Sequence, residues 1–235
     1  MITHIIIPAR MGSKGIKNKN IVKINGKELI NFTLDIAKKC TFADSVVVST
    51  DGNNIASIAK REGVSVPFIR PKKYATDKST DLDVFKHYLK WIKENNYILP
   101  DILVHLRPTT PFRKINIIKK AYNKFLEVKK KGYTSLRSMR RSTFSPFKMW
   151  TIKQNISRPF ISNNINHSVP RQKLIKTFDH IGYIDILDVK KTILKNTIIG
   201  SKVYPFILEE NQLIDFVDLD TINDLKKAKK IFNEK

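Results

Sequence analysis

The residues best suited to chemistry lie in a glycine-bearing loop directly after the first apolar run of the sequence. The loop reads Pro8-Ala-Arg-Met-Gly-Ser-Lys-Gly-Ile-Lys-Asn-Lys-Asn20. Gly12 and Gly15 let the backbone fold tightly with its N–H groups turned inward, which favours anion binding. Arg10 and Lys14 add positive charge where phosphate groups would lie. The spacing matches neither a P-loop nor a GxGxxG dinucleotide motif, so we predict a phosphate-binding loop of another kind, with an ordinary surface turn as the alternative.

A pair of aspartates near the C-terminus is the second candidate. We predict a strand over residues 216–219, which would place the Asp218 and Asp220 carboxylates on one face. Two adjacent carboxylates repel unless a cation lies between them, and Mg²⁺ is typically held by one or two carboxylates plus substrate phosphates. The alternative is that Asp218 is exposed and that Asp220 caps the last helix.

Two further segments carry groups that bind acidic or sugar ligands. Leu106–Arg113 reads LRPTTPFR, a proline-stiffened loop with two hydroxyls and two guanidiniums. Pro170-Arg-Gln172 contains Arg171, which can clamp a carboxylate or a phosphate, although a lone arginine is more often a surface ion-pair partner. The five histidines lack the spacing of a zinc site, and Cys40 is expected to be a buried structural residue.

Short apolar runs that alternate with helical periodicity predict the elements that position these residues. We predict strands over residues 4–8, 45–49, 64–69, 101–106, 133–137, 181–187, 203–208 and 216–219. We predict helices from residue 29, after a cap at Asp51, over residues 79–95 and 115–131, and from a capping box at Thr221. This alternation predicts an α/β fold with a largely parallel sheet, in which ligands bind beyond the carboxyl ends of the strands. The relevant loops are then residues 9–20, 50–52, 70–81 and 107–113.

The strand–helix rhythm breaks between about Ser138 and Gln172. This stretch is polar but contains Phe144, Phe147, Trp150 and Phe160. We predict a single domain over residues 1–235 with an inserted subdomain there. Aromatic side chains on such an excursion often contact a partner chain, although a lid packed on its own domain is an equal alternative.

Composition narrows the classes of protein further. The chain has 235 residues, one cysteine and a net charge of +23, with 41% hydrophobic residues. It is therefore neither a disordered tail nor a disulfide scaffold. The charge suggests a polyanionic partner, but the lysines are spread along the chain and no nucleic-acid-binding motif is present, so we consider nucleic-acid binding unlikely. With no membrane-length apolar run and no signal-peptide pattern, a cytoplasmic protein is expected.

Taken together and in order, the motifs resemble those of the acylneuraminate cytidylyltransferases, which make CMP-sialic acid and related CMP-sugars. The segments are IIIPARMGSKGIKNKNI, VVVSTDGNNIASIAKREGV, IRPKKYATDKSTD, LRPTTPFR, VPRQKL and VDLDTINDL. The resemblance covers nearly the whole chain and is tightest over residues 3–113. It implies a Rossmann-like nucleotidyltransferase fold, a homodimer formed through the inserted subdomain, and transfer of CMP from CTP to a 2-keto-3-deoxy sugar acid with Mg²⁺.

The resemblance also implies roles for individual residues. Arg10, Lys14 and Asp220 would be catalytic, and Asp218 and Asp220 would bind Mg²⁺. The nucleotide would contact Arg10, Gly12, Ser13, Lys14, Gly15, Asn20, Arg70, Ala75, Thr76, Asp77 and Thr80. The sugar would contact Arg107, Thr109, Thr110, Arg171 and Gln172.

Two departures from the family pattern fall on the sugar side. The usual LQPTSPLR is LRPTTPFR here, so Arg107 stands where a sugar-contacting glutamine is usual. The segment after the PRQ motif usually reads RxNGAIY, and here it is Asp179-His-Ile-Gly-Tyr-Ile-Asp185, with Asp185 where tyrosine is common. The acceptor is therefore left open among sialic, legionaminic and pseudaminic-type acids. A CMP-Kdo-type reaction or transfer to a sugar 1-phosphate are the alternatives, the latter because Arg107 adds a positive charge.

Overall fold

A computed structural model describes residues 1–13, 15–161 and 169–234 of the chain. The strands are β1 (Thr3–Pro8), β2 (Lys23–Ile24), β3 (Lys27–Glu28), β4 (Ser45–Ser49), β5 (Ile102–His105), β6 (Ser135–Arg141), β7 (Trp150–Lys153), β8 (Ile156–Pro159), β9 (Phe178–Asp188) and β10 (Val203–Ile207). The α-helices are α1 (Leu29–Lys38), α2 (Asn53–Arg61), α3 (Asp81–Glu94), α4 (Ile115–Lys129) and α5 (Ile222–Asn233).

Six of the strands form one twisted sheet in the order β10-β6-β9-β5-β1-β4. The pairs β1·β4, β1·β5 and β10·β6 are parallel, whereas β9 runs antiparallel to both of its neighbours. The prediction of an α/β fold with a mainly parallel sheet is therefore confirmed. Because β9 is reversed, its first residues reach the same sheet edge as the carboxyl ends of β1 and β5.

Alternation of side chains along the central strands builds a core on each face of this sheet. Ile5 and Ile7 of β1 pack on the face covered by α1, α2 and α4, while Ile6 packs on the other face with Phe85 and Tyr88 of α3. A third cluster joins Ile24 and Leu29 to α5 and to the segment that precedes it. Apolar packing on both faces holds the strand ends, and the loops after them, in fixed positions.

Three local predictions are wrong. Residues 64–69 form two isolated parallel bridges, Val47 with Ser65 and Thr50 with Ile69, and no continuous strand. Residues 216–219 are extended but pair with no strand in the described part of the chain. Gly52, rather than Asp51, is the N-cap of α2, because the Asp51 carboxylate accepts a hydrogen bond from the Met11 backbone N–H at 3.0 Å instead.

Within the predicted insertion, β7 and β8 form an antiparallel hairpin. Strand β6 continues past Ser138 to Arg141 before the chain leaves the sheet, and the Ser138 hydroxyl donates to the Ile181 carbonyl of β9. Several large apolar side chains of the hairpin region are exposed, among them Ile152 at 75%. Among the helices described, none is long and apolar enough to cross a membrane.

Candidate active site

A cavity of about 400 Å³ opens beyond the carboxyl ends of β1 and β5. Four chain segments contribute to its wall, and they include three of the four loops selected from the sequence together with Asp220. Predicted site residues that line it are Arg10, Ser13, Gly15, Asn20, Arg70, Ala75, Thr76, Thr80, Arg107, Thr109 and Asp220. The topology therefore brings most of the predicted site together.

Hydrogen bonds at both ends hold the glycine-bearing loop in place. The Met11 N–H donates to Asp51, and the buried Asn20 side chain donates to the Arg10 carbonyl at 2.7 Å. Asn20 therefore fixes the loop as well as lining the cavity. Gly12 lies in the loop but does not line the cavity, and Lys14 lies outside the described residues.

A salt bridge links this loop to the segment that precedes α3. Arg10 Nη1 lies 2.8 Å from Asp77 Oδ1, with both side chains about a third or more exposed. Asp77 does not line the cavity, so its contact with the site runs through Arg10. Thr80 begins α3 with a capping box, in which its side chain and that of Asp83 each accept from the other residue's backbone N–H.

Arg70 is the buried cation of the nucleotide side. It is 3% exposed, its backbone N–H donates to the Thr50 carbonyl at 2.7 Å, and it lines the cavity. Burial lowers the pKa of its guanidinium, against the opposing effect of Asp51. Its Nε has no hydrogen-bond partner among the described residues. A buried N–H without a partner costs free energy, so a ligand oxygen at this position would be stabilised.

Arg107, after β5, also lines the cavity, and two carboxylates bind it. Its Nη1 donates to Asp185 at 2.9 Å and its Nη2 to Asp81 at 3.0 Å. Burial opposes ionisation of Asp185, but hydrogen bonds from His105 and His180 and the charge of Arg107 hold its pKa well below the ordinary value. Burial and the charge of Arg107 lower the pKa of His105, so that histidine is neutral near pH 7.

Arg113 proves to be a structural residue, although the sequence offered its guanidinium to a ligand. It is 6% exposed and donates to the carbonyls of Arg107, Thr110, Gly182 and Tyr183. Burial lowers its pKa. The Arg113 guanidinium thereby ties the loop after β5 to β9. Thr110 is also buried there, its hydroxyl 3.2 Å from the Gly182 carbonyl, whereas Thr109 lines the cavity.

The two C-terminal aspartates lie in the segment that precedes α5, and their side chains differ in exposure. Asp220 is exposed, lines the cavity and pairs with Lys19 at 2.7 Å. Asp218 is half-buried and does not line the cavity, and its Oδ1 has no hydrogen-bond partner in the described part of the chain. Asp220 does not cap α5, because Thr221 takes that position.

The structure places one of the two predicted sugar-side residues of the insertion, and it lies away from this cavity. Gln172 lines a separate cavity beside Arg141 and Glu210. Arg171 lies in a short 3-10 helix, Arg171–Lys173, and its side chain lies outside the described part of the structure.

Sequence reasoning missed several cavity residues. Lys19 lies within the glycine-bearing loop, but its sequence context does not distinguish it from the many other lysines. Asp81 is an acidic residue in the first turn of α3, a position where aspartate is common. His105 ends an apolar strand and is 2% exposed. Only their contacts with distant segments, Asp220 for Lys19 and Arg107 for Asp81, reveal their place in the site. Tyr74 and Ser79 also line the cavity.

Comparison with known proteins decides the class. The sequence pattern of the family described as cytidylyltransferase matches residues 4–233. The chain belongs to the cytidylyltransferase family. It is therefore a nucleotidyltransferase, and the phosphate-binding interpretation of the loop after β1 agrees with the family's chemistry. The family match spans nearly the whole chain, so the sequence can be assigned to a class without invoking nucleic-acid binding.

The family relatives with known activities act on sugar acids. Pseudaminic acid cytidylyltransferase of Campylobacter jejuni is 28% identical over 227 residues, covering 97% of this chain and 94% of the relative. CMP-N,N'-diacetyllegionaminic acid synthase of Legionella pneumophila is 28% identical over 228 residues, covering 96% and 94%. A solved CMP:2-keto-3-deoxy-manno-octonic acid synthetase with CTP has a TM-score of 0.68 at 14% identity, covering 100% of this chain and 99% of its own, which shows a shared fold.

Proposed function

We propose that this cytidylyltransferase transfers CMP from CTP to the anomeric hydroxyl of a nonulosonic-type sugar acid and releases pyrophosphate. The product would serve surface glycan synthesis in the cytoplasm. The observation that carries the proposal is the convergence of Arg10, Gly15, Arg70 and Asp220 on one cavity, with a separate wall built around Arg107. The first wall suits a triphosphate and the second suits an acceptor.

On the nucleotide wall, fixed positive charge and backbone N–H groups would hold the triphosphate. Arg10 lies at the cavity beside the glycine-bearing loop, and Arg70 carries an N–H that lacks a partner among the described residues. The roles of Lys14 and Gly12 rest on the resemblance of the loop. As negative charge develops on the α-phosphate and the leaving pyrophosphate, these cations would stabilise it without moving.

Mg²⁺ is the proposed cofactor, and the residues fit it. Asp218 and Asp220 supply carboxylate oxygens, and the buried Asp218 Oδ1 has no partner among the described residues. Two carboxylates plus phosphate oxygens are a typical donor set for this ion. When bound, Mg²⁺ would neutralise phosphate charge. Lys19, already paired with Asp220, would supply further positive charge at the same place.

The reaction itself requires positioning more than covalent chemistry. The anomeric oxygen would form a bond to the α-phosphorus, the bond from that phosphorus to the bridging oxygen would break, and pyrophosphate would leave. Asp220, exposed at the cavity, would accept the hydroxyl proton. Thr109 and Arg107 line the acceptor wall, and Arg171 remains a proposed contact for the acid group.

The arrangement at Arg107 favours a sugar acid over a sugar 1-phosphate. The suggestion that Arg107 adds a free positive charge is not supported, because Asp81 and Asp185 offset that charge within 3.0 Å. The two carboxylates outnumber the single guanidinium, so this part of the cavity has no net positive charge that would attract a dianionic phosphate.

We also propose that the protein is a homodimer formed through its inserted hairpin. Trp150, Ile152 and Ile156 are exposed by 53%, 75% and 56%. Such clustered apolar surface commonly forms an interface. The variant Ile152→Lys/Ile156→Lys should sediment as a monomer where the wild type sediments as a dimer, and a monomeric wild type would refute the proposal.

Pyrophosphate release tests the main proposal. The purified chain with Mg²⁺ should release pyrophosphate with CTP and one of sialic, legionaminic, pseudaminic or Kdo acids, and with no sugar 1-phosphate. Asp220→Asn should abolish turnover while metal-free nucleotide binding persists. Release only with a sugar 1-phosphate, or only with another nucleotide, would overturn the acceptor or nucleotide assignment.

A further inference from the structure

The two positions at which the chain departs from the family's sugar-side motifs contact each other. Arg107 and Asp185 are 78 residues apart in sequence, yet their side chains form an ion pair at 2.9 Å. The register of the sheet explains this, because His105 of β5 lies opposite Asp185 of β9. The two unusual residues therefore form one structural unit rather than two independent substitutions.

Asp81 completes this unit from a third element. Asp81 is the first residue of α3 and accepts from Arg107 Nη2 at 3.0 Å, whereas Asp185 accepts from Nη1. Burial opposes its ionisation, but His105 and Arg107 keep its pKa below the ordinary value. We name Asp81, Arg107 and Asp185 the acceptor-wall triad. With both carboxylates ionised, its formal charge is one negative unit.

Close packing fixes the position of the guanidinium. A Cβ at Gly182 would lie 3.3 Å from Arg107 Cδ, 3.2 Å from Thr110 Oγ1 and 3.2 Å from an Asp218 carboxylate oxygen. The Asp185 side chain is only 3% exposed, whereas that of Arg107 is 24% exposed and lines the cavity. Asp185 also contacts His180 at 2.8 Å. Arg107 and Asp81, the latter 33% exposed, are thus the members of this cluster that line the cavity, and Asp185 lies buried behind them.

We propose that Asp81 and Asp185 are positioning residues that hold Arg107 against the acceptor and cancel its charge, so that this wall selects an uncharged hydroxyl- or amide-bearing part of the sugar acid and rejects an additional phosphate. Arg107 still offers N–H groups to a neutral oxygen, because two of its five are used by the carboxylates. The carboxylate of the acceptor would then bind elsewhere in the site. This inference rests on the proposed function and specifies its acceptor.

The test compares two probes that differ by one phosphate group: N-acetylneuraminic acid and its 9-phosphate. Each is measured as a substrate, or as a competitive inhibitor of the sugar acid that supports turnover. The wild type should discriminate against the phosphate, and Asp185→Asn should reduce this discrimination at least tenfold while leaving KM for CTP within twofold. Asp35→Asn, which alters a carboxylate of α1 that pairs with Lys27 and does not line the cavity, is the matched control and should leave discrimination unchanged.

A second variant keeps the test decisive if Asp185→Asn folds poorly. Asp81→Asn removes the more exposed of the two carboxylates and leaves the buried Asp185 paired with Arg107, which avoids a buried unpaired ion. It should fold and should lose wild-type discrimination, with KM for CTP unchanged. Equal discrimination in the wild type and in these variants, or an equal rise in both KM values, would overturn the inference. Absence of pyrophosphate release by the wild type with any sugar acid would instead overturn the proposed function.

Discussion

The glycine-bearing loop passes close to the backbone of Asp220 at Gly15, and a single added methyl group can test this close approach. A Cβ at this position would lie 2.4 Å from the backbone carbonyl oxygen of Asp220. Real Cβ contacts of this kind essentially never fall under 3.0 Å, so the two segments must separate by at least 3.0 − 2.4 = 0.6 Å. Both segments line the cavity, and Gly15→Ala therefore moves the phosphate-binding backbone away from the Asp220 carboxylate.

The size of this displacement sets the expected loss of activity. A misplacement of about 1 Å in an active site can cost about 100-fold in rate. We therefore expect Gly15→Ala to lower kcat/KM by about 30- to 100-fold, equivalent to roughly 2 to 2.7 kcal/mol of transition-state stabilisation. The measurement is pyrophosphate release with saturating CTP and the accepted sugar acid. Thermal unfolding should show a folded protein, since neither segment belongs to the sheet.

Gly12→Ala is the comparison within the same loop. A Cβ at Gly12 would meet no heavy atom within 4 Å in the described part of the chain, and alanine retains the backbone N–H. We expect its effect on kcat/KM to stay below about threefold, because no segment is displaced. If Gly15→Ala retained activity within threefold of the wild type, or if both variants lost activity equally, the argument from close approach would be wrong.

Three further outcomes follow from burial. Arg113→Met should lower the free energy of unfolding by at least about 3 kcal/mol in urea denaturation, because it leaves several buried carbonyls without donors. The pKa of Asp185 is held well below its ordinary value of 3.8, so its ionised form stabilises the fold above that pH. The free energy of unfolding should therefore fall as the pH drops from about 5. In denaturation measured across this pH range, Asp185→Asn should show a weaker dependence on pH. Cys40, whose pKa burial raises to about 11, should react with iodoacetamide at pH 8 far more slowly in the folded than in the unfolded protein.

Most of the fold could be predicted because its signals are local. The apolar run of β1 and the Val-Val-Val run of β4 are buried on both faces and end within a residue of their predicted bounds. Helices α3 and α5 begin after the capping threonines Thr80 and Thr221, and the predicted capping box at Thr221 is confirmed by the hydrogen bonds with Asp224.

The failed strand at residues 216–219 shows the limit of such signals. Val217 and Leu219 are buried and their neighbours are not, which is the alternation typical of a strand. Here the apolar side chains pack against Ile24 and Leu29 and the helix α5, and the Leu219 N–H donates to the Thr109 carbonyl at 2.9 Å. Alternation records which side chains are buried, but it does not record whether a partner strand is present.

Prediction of the site likewise succeeded where the signal is local in sequence and failed where it depends on contacts between distant residues. The glycine-bearing loop was found from its own composition, since phosphate binding requires small residues and cations close together in sequence. Lys19 and Asp81 were missed because each is informative only beside its partner, 201 and 26 residues away respectively. The guanidinium of Arg113 suits an acidic ligand by its type, and only the structure reveals that it is buried and bound to backbone carbonyls.

The direction of strand β9 explains why Arg107 and Asp185 lie together. Because β9 is antiparallel to β5 and β6, its segment from Phe178 to Asp185 lies at the edge where the loop after β5 also lies. A sequence change after the insertion can therefore be compensated by a change after β5, as Asp185 and Arg107 show. An arginine at position 107 without Asp185 would still pair with Asp81, whereas an aspartate at position 185 without Arg107 would lose its arginine partner while buried, which is costly. Asp185 therefore depends on a residue 78 positions away, whereas the loop after β1 is held by its own glycines and by hydrogen bonds at both of its ends.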